Sequence, residues 1–312
     1  MTASLSRRKI FGLAGVGVTS LALSSCGLSG NTAFGTANPS ETIVVGSADF
    51  TESQIIAQIY ASALNLRGLS AQTQPAIGAR EAYLGALEEG TISVVPDYSG
   101  NLLLYFDAQT SATSPEEILQ ALPKALPSSL AVLQASPAED KDTLVVTEQT
   151  AQKYGIRSLA DLAQHQDQLS IGAPPEFSER SYGLAGMKEK YGFTPASFNP
   201  INDGGGPLTV QALLDNQVQV ANIFSTDPAI AQNNFVVLDD PKNNFLAQQV
   251  IPVINAQHVS YAAAQVLDEV SALLTTDDLI HLNSRVSGQE KANPSQVAQE
   301  WVEEHFSSKK ND

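Results

Sequence analysis

Apolar residues recur along this chain in two alternating rhythms. Thr42-Ile43-Val44-Val45-Gly46 is a short β-rich run. Beyond a loop, Ile55, Ile56, Ile59, Tyr60 and Ala63 recur at helical spacing. They predict a helix that Thr51-Glu52-Ser53-Gln54 opens with a capping-box pattern and Arg67-Gly68 closes. A second strand is expected near 70–75 and a second helix over 81–88. Strands alternating with helices point to an α/β architecture with a largely parallel sheet.

The pattern then echoes itself. The run from Leu87 through Glu88, Glu89, Gly90, Thr91, Ile92, Ser93, Val94, Val95, Pro96 and Asp97 to Tyr98 and Ser99 matches a later one. That one runs from Leu213 through Asn216, Val218, Val220 and Ile223 to Phe224 and Ser225. Each reads as a helix, a left-handed cap, an alternating strand, an aromatic and a serine. Gly90 and Asn216 take the cap, where positive φ is tolerated. Ile92 and Val94 pair with Val218 and Val220 as inward residues. Tyr98 and Phe224 fall at the carboxyl ends of their strands, where α/β sheets place ligands. The echo predicts two similar lobes, each offering an aromatic to a shared cleft.

The amino-terminal segment has a different pattern. Arg7, Arg8 and Lys9 precede 14 uncharged residues, 10–23, and Leu23-Ser24-Ser25-Cys26-Gly27 closes the segment. The apolar stretch suits a signal peptide and is too short to span a membrane. The expectation is a signal over 1–25 ending in a lipobox. Cys26 would carry a diacylglyceryl group and anchor an exported protein to the outer face of the cytoplasmic membrane. Serine before Cys26 is less usual there, and an ordinary signal with an incidental cysteine also fits. Ser6-Arg7-Arg8-Lys9-Ile10-Phe11 fits both a twin-arginine and a general secretory route. Residues 26–40, rich in Ser, Gly, Asn and Thr, read as a tether.

Charge narrows the partners. The formal net charge of −16 becomes −19 without residues 1–25, which carry three basic and no acidic residues. So acidic a protein is a poor partner for nucleic acid or anionic lipid. Cys26 is the only cysteine, so no disulfide joins two points of the chain. His165, His258, His281 and His305 form no metal spacing. No Gly-x-Ser-x-Gly, His-Glu-x-x-His or phosphate-loop motif occurs. Neither an enzyme, a metal nor a cofactor is expected.

Several stretches, in order and spacing, resemble the substrate-binding proteins of ABC importers for osmoprotectants such as glycine betaine, choline and carnitine. They are Gly46-Ser47-Ala48-Asp49-Phe50-Thr51-Glu52, Pro96-Asp97-Tyr98-Ser99-Gly100, Leu159-Ala160-Asp161-Leu162 and Pro175-Glu176-Phe177-Ser178-Glu179-Arg180. Phe224-Ser225-Thr226-Asp227, Val237-Leu238-Asp239-Asp240 and Ile280-His281-Leu282-Asn283 complete them. Asp203-Gly204-Gly205-Gly206-Pro207-Leu208-Thr209 resembles a branch sometimes linked to low-affinity betaine binding. The resemblance spans about 42–306. It implies a two-lobe, type II periplasmic-binding-protein-like α/β fold with a two-stranded hinge. Lobe 1 would comprise 41–142 plus 250–312, and lobe 2 the inserted 143–249. It also implies closure on a small cationic or zwitterionic ligand, recognition by ABC permease and ATPase subunits, and action as a monomer.

A quaternary ammonium donates no hydrogen bonds and is held by aromatic faces and nearby negative charge. The resemblance implies an aromatic cage in which Tyr98 matches a cage tyrosine and Phe224 falls on another cage position. Asp142 stands where betaine-type relatives carry a cage tyrosine, and a fourth position falls near Gln248. Both departures favour a ligand with hydrogen-bond donors, and an ergothioneine- or amino-acid-like solute or a sensory role stays open. Arg180 matches the arginine that grips a ligand carboxylate in a bidentate fork. Arg80, where relatives often carry Thr or Ser, is a second candidate for an anionic group. Ser47, Asp49, Thr51 and Ser53 surround the first helix N-terminus, with capping enough to explain Thr51. Ala48 stands where some relatives have lysine, and Asn101 replaces a cage-adjacent threonine. Asp227 is expected either to cap a helix or to line the cleft. Gly204-Gly205-Gly206 reads as a tight loop before a helix over 208–215 rather than a phosphate cradle.

Overall fold

The structure is a computed structural model that describes residues 42–307. The leader and the whole tether, Cys26 included, lie outside the described residues. The first unit runs β1 (Ile43–Gly46), α1 (Thr51–Leu66), β2 (Ala71–Gln74), α2 (Arg80–Glu88), β3 (Val94–Tyr98), α3 (Ser99–Phe106), α4 (Pro115–Ala125) and β4 (Leu130–Val132). The chain then builds β5 (Asp142–Val146), α5 (Glu148–Tyr154), β6 (Ser170–Ala173), α6 (Leu184–Tyr191), β7 (Ser197–Pro200), α7 (Pro207–Leu214), β8 (Val220–Phe224), α8 (Ala229–Gln232) and β9 (Val236–Val237). It returns through β10 (Val250–Asn255) to α9 (Tyr261–Leu273), α10 (Thr276–Ser287) and α11 (Pro294–Ser307).

These strands form two five-stranded sheets, ordered β2-β1-β3-β10-β4 and β7-β6-β8-β5-β9. Both follow one plan. In each, a central strand (β3 or β8) pairs in parallel on one side and antiparallel on the other, with β10 or β5. Tyr98 stands opposite Val250, and Phe224 opposite Asp142. The echo in the sequence is therefore a repeat of topology. Gly90 and Asn216 hold the expected caps at φ 75° and 56°. Ile92, Val94, Val218 and Val220 are all buried.

One expectation about β3 fails. It is buried at all five positions instead of alternating, because helices cover both faces of its sheet and leave no solvent side. On one face lies α1, whose Ile55, Ile56, Ile59, Tyr60 and Leu64 share a core with Leu267 of α9 and Trp301 of α11. On the other, Leu84, Leu87, Leu102, Leu103 and Ile118 pack around Val95 and Val253. Each fully buried aliphatic side chain contributes about 1.5–3 kcal/mol relative to exposure.

The capping-box expectation for α1 also fails. Phe50 is the N-cap and makes no side-chain cap hydrogen bond. Glu52 turns inward instead, into a buried network described below. Arg67 caps the other end, and Gly68 follows at φ 80°, as the pattern implied.

The chain crosses between the two units twice, and the crossings run side by side. Ser136 N donates to Val250 O at 2.8 Å, Val250 N to Ala138 O at 3.0 Å, and Asp140 N to Gln248 O at 3.1 Å. Glu139 and Gln249 form an antiparallel bridge. The result is two α/β lobes on a two-stranded hinge.

Candidate functional site

Three rings meet between the lobes. Tyr98 ends β3 and Phe224 ends β8. Phe50, just ahead of α1, sits between them. Its ring centroid is 5.2 Å from that of Phe224 and 6.1 Å from that of Tyr98. Tyr83, Phe177 and Tyr182 extend this aromatic lining around one cavity. Nothing in the spacing of Phe50, Tyr83, Phe177 or Tyr182 marks them as site residues. An isolated aromatic in a helix or loop reads as core until the topology brings it to a cleft.

Behind the rings lies a buried acidic network. The Tyr98 hydroxyl donates to Glu52 Oε1 at 2.6 Å. Glu52 Oε2 accepts from Thr226 Oγ1 at 2.5 Å and Asn283 Nδ2 at 2.6 Å. Thr226 N and Ser225 Oγ donate to Asp140 Oδ1, at 3.0 and 3.1 Å. Burial and then the Glu52 charge push the Asp140 carboxyl well above its ordinary value. Burial, then the same charge, raise the Tyr98 phenol too, so it stays a donor.

Asp142 opens β5 and faces the cavity beside Asn101 and Asn222. Asn101 Nδ2 donates to its Oδ2 at 2.7 Å, and Asn222 Nδ2 to its Oδ1 at 3.1 Å. Burial raises its carboxyl against these donors. The two arginines are held differently. Arg80 Nε and Nη2 donate to Asp97 at 3.1 and 2.7 Å. Tyr83 OH and Tyr98 N also donate to Asp97, at 2.9 and 2.7 Å. Burial opposes the Arg80 charge, and the Asp97 charge overrides it. Arg180 reaches across the cleft, with Nη1 and Nη2 donating to both Glu81 oxygens at 2.5 and 3.0 Å.

Of the residues expected at the site, Tyr98, Phe224, Asp142, Arg180, Arg80 and Asn101 line this cavity, with Ala48, Asp49 and Ser53. Three others are placed elsewhere. Gln248 is fully buried behind Asn101, donating to its Oδ1 at 2.6 Å and accepting from its N at 3.0 Å. Ser47 donates to Ala48 O at 2.9 Å and accepts from Ala76 N at 3.0 Å. Asp227 faces a second cavity that shares Phe50 and Phe224, and accepts from Ala229 N at 2.7 Å. Thr51 lines that second cavity as well.

The glycine run is a tight loop, as expected. Gly204 and Gly205 have φ of 62° and 81°. A Cβ on Gly204 would lie 2.7 Å from Phe50 Cβ. The N-terminus of α7 is already filled, since Asp203 Oδ2 accepts from Leu208 N at 2.6 Å and Thr209 N at 3.2 Å. That leaves no phosphate cradle there.

The substrate binding domain of the ABC-type glycine betaine transport system, as a family model, matches residues 41–304. A glycine-betaine-binding protein of Pseudomonas aeruginosa is 28% identical over 283 residues, covering 85% of this chain and 88% of that protein. A glycine betaine-binding protein of Escherichia coli is 25% identical over 258 residues, covering 78% of this chain and 85% of that protein. Among solved structures, that of a glycine betaine/carnitine/choline ABC transporter aligns with a TM-score of 0.65. It is 23% identical and covers 85% of this chain and 98% of that one.

Proposed function

The chain belongs to the family of substrate-binding domains of ABC-type glycine betaine transport systems, and from that premise we propose that its cleft captures a small quaternary ammonium or betaine-like solute for an ABC importer. The observation that carries this reading is the meeting of Phe50, Tyr98 and Phe224 from two lobes in front of buried carboxylates. Aromatic faces and negative charge together hold a cation that cannot donate hydrogen bonds. The hinge lets the lobes part for entry and close on the solute. The family is one of transport proteins and not an enzyme class.

In the same reading, residues 1–25 are an export signal, Cys26 carries the lipid, and 26–40 tether the lobes to the outer face of the membrane. Residues 41–142 with 250–312 form one lobe and 143–249 the other. The protein works as a monomer that docks on ABC permease and ATPase subunits. The charge and motif patterns of the amino-terminal segment support the anchoring. Among the described residues no helix is long and apolar enough to cross a membrane.

Uptake by living cells tests the reading. Cells lacking this protein should lose import of labelled choline or glycine betaine at high osmolarity. The wild-type chain should restore it, and the Phe50→Ala, Tyr98→Ala double variant should not. Uptake unchanged by the deletion would contradict it.

A further inference from the structure

Both guanidinium groups at this cavity are paired with the chain's own carboxylates. Arg80 has Nε and Nη2 on Asp97, which is fully buried on the next strand. Arg180 has Nη1 and Nη2 on Glu81, at the start of α2 on the opposite lobe. Its Nε–H is buried without an acceptor. A ligand carboxylate therefore meets guanidinium groups whose charge is already paired with a carboxylate of the chain. The carboxylates facing the cavity are the reverse case. Asp142 is held by two amides and Asp140 by a hydroxyl and a backbone N–H, all neutral. Arg80 and Arg180 reach Asp142 only through space.

We propose that Glu81 is a specificity-determining residue, which pairs the Arg180 charge at its Nη1/Nη2 end and so tunes the cleft to a quaternary ammonium alcohol over a zwitterion with the same head group. The proposal rests on the functional reading above and adds to it which charge class is accepted. Its logic is exclusion as much as attraction. A zwitterion must bring its carboxylate among Asp49, Asp142 and Glu176, which line the cavity, and up to an Arg180 whose charge Glu81 already pairs. A monocation brings only the charge that these groups favour. Glu81 itself is half exposed, with 53% of its side chain accessible. Its replacement leaves no buried orphan on the Glu81 side.

Choline and glycine betaine share a trimethylammonium head and differ in ending in an alcohol or a carboxylate, so they are the probes. Both are titrated calorimetrically into wild-type protein, Glu81→Gln and Glu81→Ala, with thermal unfolding run on each. Wild type should bind choline more tightly. Both variants should narrow the choline-to-betaine ratio about tenfold or more, the size expected for freeing a charge-assisted fork. A ratio unchanged in both folded variants overturns the role of Glu81 and leaves the functional reading standing. So does a wild type that prefers betaine. A wild type that binds neither probe overturns the functional reading and this inference with it.

Discussion

The rings of Phe50 and Phe224 stand 5.2 Å apart at an interplanar angle of 40°, although they belong to different lobes. One precedes α1 of the first sheet's unit and the other ends β8 of the second. Their contact joins the two sheets' units across the cleft. Tyr98, 6.1 Å from Phe50, is the third wall.

Removing one ring should therefore weaken ligand binding without unfolding either lobe. Phe50→Ala, Tyr98→Ala and Phe224→Ala should each cost about 0.5–2 kcal/mol of cation–π attraction. That is an affinity loss of about 2- to 30-fold. Titration checks it, and the Phe50 and Phe224 changes should be non-additive because the rings touch.

Thr226→Val tests the link between the lobes. The Thr226 hydroxyl donates across the cleft to Glu52 Oε2 at 2.5 Å. A valine of similar shape leaves that buried carboxylate oxygen with Asn283 alone. The cost of about 1–3 kcal/mol for a lost buried partner falls on the closed form. Small-angle scattering should then show a more open protein, while each lobe keeps its secondary structure by circular dichroism.

Asp140 predicts a pH dependence with a definite sign. Burial and the Glu52 charge raise its carboxyl well above the ordinary value of 3.8. The fold thus favours the protonated acid. The stability this contributes is present at low pH and is lost as pH rises through the raised value. Thermal unfolding across about pH 4 to 8 should show Asp140→Asn gaining on wild type as pH rises. A constant difference between the two would contradict it.

Gly204→Ala should loosen closure. The residue holds φ at 62°, and an added Cβ would lie 2.7 Å from Phe50 Cβ. Left-handed backbone alone costs about 1–2 kcal/mol with a side chain. Weaker ligand affinity is expected, with little change in the spectrum of the folded lobes.

Much of the scaffold is legible in the chain because its causes are local. The helical spacing of Ile55, Ile56, Ile59 and Tyr60, the cap at Gly90 and the cap at Asn216 all act within a few residues. The repeat then places Tyr98 and Phe224 at equivalent strand ends. The partners that decide the chemistry are not local. Glu81 meets Arg180 across 99 positions, and Glu52 meets Thr226 across 174. Glu52 also carries a misleading local signal, since Thr51 to Gln54 resembles a capping box. Its burial beside Tyr98 is set by packing between α1, β3 and α10. Gln248 lies close to the cavity in the chain's topology yet is turned onto Asn101, a choice of side-chain direction that no spacing reveals.

The central claim is that this cleft holds a quaternary ammonium solute against aromatic rings. Calorimetric titration of the purified protein, freed of carried-over ligand, with glycine betaine, carnitine and choline tests it most directly. The account predicts saturable, single-site, micromolar binding of at least one of them, lost in the Phe50→Ala, Tyr98→Ala double variant. Folded protein that binds none of the three, or binding untouched by the loss of both rings, would contradict it.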